Sequence, residues 1–242
     1  MKLPVRGPDP GRAAVIRQAA SVSVATGLYG ISFGALSIAA GLNLWQTMAL
    51  SAFMFTGGSQ FAFIGVIGAG GASISAILTS GLLGVRNGLY GVQLGPLLAF
   101  EGWKRVLAAH FTIDESTAVS TAQTTRALRR LGFWWTGAGV FVCWNSLTFV
   151  GALAGNAVGD PKAWGLDAAA AAAFLGLLWP RLAGRTAQVC AGLAALIAIG
   201  LIPFAPAGVP VLAAGLAAVI VGAWDARRTT RVAGGKAGVP GE

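Results

Sequence analysis

Arg86 stands in the middle of the apolar run 71–100, directly before Asn87. A lone guanidinium in such surroundings is costly unless an anion meets it, and its planar fork fits a carboxylate. The anion is either a bound solute's carboxylate or the acid pair Asp114 and Glu115 further along the chain. A second group of polar residues interrupts another apolar run at Phe55-Thr56-Gly57-Gly58-Ser59-Gln60-Phe61. Two adjacent glycines weaken a helix by roughly 1 kcal/mol each relative to alanine. Ser59 and Gln60 then add side-chain donors and acceptors where the backbone is free to unwind. Gln60 also fits a plain polar contact between helices, worth under ~2 kcal/mol. The third group is Asp114-Glu115-Ser116-Thr117. Adjacent carboxylates beside apolar segments suit proton uptake or pairing with Arg86, and equally suit the start of a solvated helix.

The elements that must hold these groups are membrane spans. Of 242 residues, 55% are hydrophobic and 10% charged, and mean hydropathy is +0.72. That is too few charges to cover a soluble globule, and the same numbers exclude disorder. The fold expected is an all-α polytopic membrane protein of about six to seven transmembrane helices, with broken or re-entrant segments. The net charge of +9 argues against nucleic acid, because the cations cluster at the ends of apolar runs in the manner of the positive-inside rule.

Apolar stretches fall at about 19–42, 44–68, 71–100, 132–156, 164–180, 186–205 and 209–224. The reading divides the chain into a cytoplasmic N-terminal tail 1–18, a transmembrane domain 19–224 and a flexible C-terminal tail 225–242. The segment 71–100 is expected to dip in and return as a broken hairpin around Arg86. With the other six stretches crossing, 15 of the 17 Lys and Arg residues then fall on one side, the cytoplasmic one. A second dip near 110–125 would alter that parity. Loop 101–131 reads as polar, with a helix from Asp114 to Ala127. The N-terminus reads as an uncleaved first span.

Trp103, Trp134, Trp135, Trp164, Trp179 and Trp224 lie near predicted span ends, as an interfacial belt does. Trp144 lies inside a span beside Asn145 and is expected to face a cavity. Cys143 and Cys190 read as buried apolar groups, and with one histidine in the chain no His-based metal site and no cofactor is expected. Asp167 is a weaker acidic candidate. Glycine recurs at four-residue spacing, as at Gly30–Gly34 and Gly91–Gly95, which suits close helix packing.

Several motifs together resemble the large subunit of the AzlC/YgaZ-type branched-chain amino acid exporters, over about residues 15–225. The matching pieces are Gly27-Leu28-Tyr29-Gly30 with Phe33-Gly34, Ser51 through Gln60-Phe61, Arg86 with Leu89-Tyr90, and Asp114-Glu115-Ser116. The family commonly carries Asn two residues before the arginine and His directly after it; here Gly84 and Asn87 occupy those places. The resemblance implies a bacterial inner-membrane permease exporting branched-chain amino acids, driven by protons, with a small hydrophobic AzlD-type partner subunit. On this reading Gly57, Gly58, Ser59, Gln60, Arg86, Asn87, Phe33 and Phe61 bind the amino acid, and Asp114 and Glu115 carry the coupling proton or pair with Arg86. Two other classes stay open. One is a non-transporting membrane scaffold whose polar motifs hold a partner. The other is an intramembrane serine hydrolase on Gly57-Gly58-Ser59, which needs a base; the sole histidine, His110, lies in loop 101–131, apart from the expected core.

Overall fold

The computed structural model describes residues 10–158, 175 and 178–236. Its elements there are helices: α1 (Pro10–Ala39), α2 (Leu44–Phe53), α3 (Gly57–Gly68), α4 (Ser73–Leu98), α5 (Trp103–His110), α6 (Asp114–Thr121) and α7 (Arg126–Val158). A 3₁₀ turn (Trp179–Ala183), α8 (Arg185–Leu201) and α9 (Val209–Lys236) follow. The stretches Gly11–Ala39 and Arg126–Gly155 are both long and apolar enough to cross a membrane, and Gly57–Gly68, Arg185–Leu201 and Val209–Trp224 are shorter apolar helices. Large apolar side chains such as Val24, Leu89, Leu196 and Ile220 face outward, which suits lipid rather than water. Among the described residues the chain is all-helical, as a polytopic membrane protein is.

Helices α1 and α7 run parallel as the central pair. Glycines set their distance. A β-carbon on Gly27 would sit 2.6 Å from Cys143 Cβ, and one on Gly30 would sit 2.7 Å from Trp144 O. Further along, Gly34 abuts Thr148 and Ala152, and Gly151 abuts Ile31. Removing the side chain lets the two backbones touch, which is how helices gain van der Waals contact in lipid.

Two of the breaks in the helical pattern form hairpins. Asn43 accepts from Gln46 N–H, and Gln46 Oε1 accepts from Asn43 N–H, both at 2.9 Å, so a capping box starts α2. The chain turns at 54–56 and α3 returns, so that Gly68 packs against Ala40 at the end of α1. The second hairpin, α5–α6, enters from the opposite end. Trp103 shares a pocket with Arg130 and Trp134 near the start of α7. The tip at 111–113 reaches Phe141, and α6 returns until Gln123 bonds Gln18. Its start at Asp114 agrees with the sequence reading, but it stops at Thr121.

These hairpins correct the sequence reading. The segment 71–100 is not a broken hairpin; α4 is one continuous helix of 26 residues, about 39 Å long at 1.5 Å per residue. Arg86 does not bend it, because an acid meets the guanidinium from the side. The dipping segment on the far side is 44–68, and the second dip near 110–125 is real. Exchanging which of 44–68 and 71–100 traverses the molecule keeps the described cations at one end.

Pro96 lies in the last turn of α4, and Ala99 closes it with a positive φ of 46°. Arg130 bonds the last carbonyls, Nε to Leu98 O at 2.7 Å and Nη2 to Ala99 O at 2.8 Å. Helices α8 and α9 pair and lean on the first half of α4, where Gly215 meets Leu82 and Thr79 lies 3.4 Å from Gly208 O. Helical backbone reaches back to Pro10 and on to Lys236, into both segments read as tails. The stretch 164–180 and Asp167 lie largely outside the described residues.

Candidate functional site

The first hairpin tip is held by Gln60. Its side chain is fully buried, and Nε2 donates toward Met54 O at 2.9 Å and Ser51 O at 3.1 Å. Those carbonyls end α2, beyond its helical bonds, and Met54 O also accepts from Thr56 N–H at the turn. Thr56, the N-cap of α3, makes no side-chain cap. The first N–H groups of α3 have no helical partner and lie at the positive end of a short dipole. A β-carbon on Gly57 would come 3.1 Å from the Trp144 ring, so the close approach of α7 leaves little room for a side chain there. Ser59 is 1% exposed, and no described group bonds its Oγ.

The second tip uses the same device with a smaller residue. Ser116 Oγ accepts from Ile113 N–H at 3.1 Å and donates to Phe111 O at 2.6 Å. This places Asp114 and Glu115 in the first turn of α6, where a helix N-terminus favours negative charge. Asp114 Oδ2 pairs with Arg86 Nη2 at 2.8 Å. Asp114 Oδ1 accepts from the Tyr90 hydroxyl at 2.6 Å. Glu115 Oε1 accepts a longer bond, 3.4 Å, from Thr26 of α1.

Helix α4 joins the two tips. A β-carbon on Gly84 would lie 3.6 Å from Ser59 Oγ, and two residues later Arg86 reaches α6. The starts of α3 and α6 thus both meet α4 within one turn, the first at Gly84 and the second at Arg86. Ser59 Oγ, Arg86 Nε, Asn87 Oδ1 and Trp144 Nε1 are buried there with no hydrogen bond among the described residues. Asn87 lies at the inner end of a cavity of about 750 Å³ that extends along Gly91 and Gly95 to Phe100 and Arg105. The cavity thus runs along the outward-facing glycines of α4 and reaches the basic end at Arg105.

Two aromatic groups flank this centre. Phe33 and Phe61 meet edge to face at 5.7 Å, and Trp144 lies 6.0 Å from Phe33 and 6.2 Å from Phe61. Phe55, at the first tip, lies 5.7 Å from His110 and 6.2 Å from Phe111 at the second. His110 is therefore packed where the hairpins touch, not in a detached polar loop.

The site residues named from the sequence fall into three places. Gly57, Gly58 and Ser59 start α3; Arg86 and Asn87 sit on the facing part of α4; Asp114 and Glu115 start α6. Gln60 is the stitch of its hairpin, and Phe33 and Phe61 are packed against each other and Trp144. Tyr90, Thr26 and Gly84 were not among them. Tyr90 was legible in part, one turn beyond Arg86 on the same face. Thr26 had no local signal, since its partner is 89 residues away. No group of three or more His, Cys, Asp or Glu residues is placed to hold a metal ion among the described residues.

The AzlC protein family model matches residues 21–158, which takes in both hairpins, Arg86 and all of α7. The inner membrane protein YgaZ of Escherichia coli strain K12 is 28% identical over 187 residues, covering 75% of each chain. No solved structure matches the chain. The match spans more than half of the sequence and includes every element that meets at Arg86, and the chain belongs to the AzlC family of membrane proteins, with a role in membrane transport.

Proposed function

We propose that this protein is a secondary carrier that exports small apolar amino acids across the cytoplasmic membrane. The observation that carries the reading is Arg86. It pairs with Asp114 at the N-terminus of α6, two residues from Gly84, where α4 meets the start of α3, and its Nε is buried without a bond among the described residues. Broken helices near mid-membrane supply free N–H groups to a solute's carboxylate. In this scheme the carboxylate takes the place of Asp114 on Arg86 and also meets the N–H groups of Gly57, Gly58 and Ser59. The displaced Asp114, with Glu115, receives the solute's ammonium group or a proton, which couples efflux to the proton gradient. Asn87 lines the approach. The apolar side chain lies toward Phe33, Phe61 and Trp144.

The sidedness follows from charge. Arg12, Arg17, Lys104, Arg105, Arg126, Arg129 and Arg130 lie at the end where α1 and α7 begin, which the positive-inside rule places in the cytoplasm. The cavity is then an intake on the cytoplasmic side. A small hydrophobic AzlD-type subunit is the expected partner, and likeness to the family supports it.

The test is counterflow in proteoliposomes with labelled leucine and valine, with and without an imposed pH gradient. Uptake against preloaded amino acid that is lost in Arg86→Gln supports the reading. Absence of flux for every amino acid, with and without a small partner, supports a scaffold instead.

A further inference from the structure

The two hairpins are built alike, and the likeness extends to the helix before each of them. Helix α1 carries Gly27-Leu28-Tyr29-Gly30-Ile31-Ser32-Phe33-Gly34, and α4 carries Gly88-Leu89-Tyr90-Gly91-Val92-Gln93-Leu94-Gly95. Each is followed by a hairpin with Phe-Thr at its tip, Phe55-Thr56 in the first and Phe111-Thr112 in the second. Five residues after each phenylalanine comes the stitching side chain, Gln60 or Ser116, which bonds the carbonyl groups of the preceding arm. The first hairpin enters beside the end of α1 and the second beside the end of α4. Since α1 and α4 run in opposite directions, one unit is inverted relative to the other.

The copies differ in one respect. On α1 the glycine face is closed: Gly27, Gly30 and Gly34 lie against Cys143, Trp144 and Thr148 of α7. On α4 nothing among the described residues comes within 4 Å of β-carbons placed on Gly88, Gly91 and Gly95, and these glycines line the cavity that reaches the basic end. Equivalent units in unequal environments are what an inverted-repeat carrier uses to hold two states.

We propose that residues 10–121 are two inverted copies of one helix-plus-hairpin unit and that the copies exchange environments about the Phe55–His110–Phe111 contact. In the second state the α4 face closes and the basic-end cavity is lost. The α1 face loosens from α7 and opens toward the opposite end. The bonds of Asp114 to Arg86 and Tyr90 hold the state seen here. This deepens the carrier reading, since it supplies the change of access that a carrier needs.

The test uses single cysteines in the full chain with Cys143→Ala and Cys190→Ala, in sealed vesicles of known orientation. A membrane-impermeant maleimide is applied from the basic-end side to Gly91→Cys and from the opposite side to Ser32→Cys. Adding Asp114→Asn, or the milder Tyr90→Phe if the first folds poorly, should lower labelling at Gly91→Cys and raise it at Ser32→Cys, each by about threefold or more. Labelling that changes in the same direction at both sites, or at neither, would overturn the exchange. No solute is needed for this reading, so its failure is separable from that of the amino acid assignment. Leucine flux without reciprocal labelling leaves the carrier and removes the exchange. Reciprocal labelling without flux of any amino acid does the reverse.

Discussion

Tyr90 Oη donates a 2.6 Å hydrogen bond to Asp114 Oδ1, and the other oxygen of that carboxylate lies 2.8 Å from Arg86 Nη2. One face of α4 thus fastens the start of α6 with two bonds to a single group. The Asp114 side chain is 14% exposed and that of Arg86 29%, so both are largely withdrawn from water, and the loss of either leaves the other without its counter-charge.

Removing Arg86 alone should therefore cost more than removing the pair. Arg86→Gln is expected to lower stability by about 2–4 kcal/mol, as for a buried pair that loses one partner. Arg86→Gln with Asp114→Asn should recover most of that. Thermal unfolding in detergent reads the difference. Export should be lost in both, since neither retains the cation that meets a solute's carboxylate. A double variant that transports normally would remove Arg86 from the binding site.

The stitches make a separate prediction. Gln60→Leu removes the side-chain donor to Ser51 O and one of the donors to Met54 O, which also accepts from Thr56 N–H. The expected loss is about 1–3 kcal/mol, the cost of a buried unsatisfied group. Ser116→Ala should cost about the same or less, because one hydroxyl serves that tip. If Gln60→Leu is as stable as the parent by thermal shift, the hairpin does not depend on its side chain.

Glycines on the two similar helices should respond in opposite ways to alanine. At Gly34 a β-carbon would press on the Thr148 backbone, and Gly34→Ala should destabilise by about 1–3 kcal/mol, in the range of overpacking. At Gly91 nothing described lies within 4 Å, so Gly91→Ala should be neutral or stabilising by up to about 1 kcal/mol through helix propensity. Folded yield and melting temperature of the two variants give the comparison.

The hairpins predict sidedness. Trp45, at the start of α2, is 79% exposed, and Trp103, at the start of α5, is 69% exposed. In the cysteine-free chain, Trp45→Cys should react with an impermeant reagent from one side of the membrane and Trp103→Cys from the other. Reaction of both from the same side would refute hairpins entering from opposite ends.

Much of this was legible in local sequence. The break beside Gly57-Gly58, the acid-bearing helix start at Asp114 and the need of Arg86 for an anion follow from residue types at short range. The path of 71–100 was misjudged for a physical reason. Hydropathy prices a charge as if lipid surrounded it, and Arg86 meets a carboxylate from a segment 28 positions away. His110 was set apart because loop 101–131 is polar on average, although the residues at its tip are Phe111, Thr112 and Ile113.

Composition alone determined that this chain belongs in a membrane and that its fold is helical, because too few charges exist to cover it in water and its backbone polar groups must bond within the chain. Which segments traverse and which turn back was decided by tertiary structure. A hairpin tip at depth survives only where distant side chains bond its loose carbonyl and N–H groups, and Gln60, Ser116 and the packing of Phe55 on His110 became visible as such only once the helices stood beside one another.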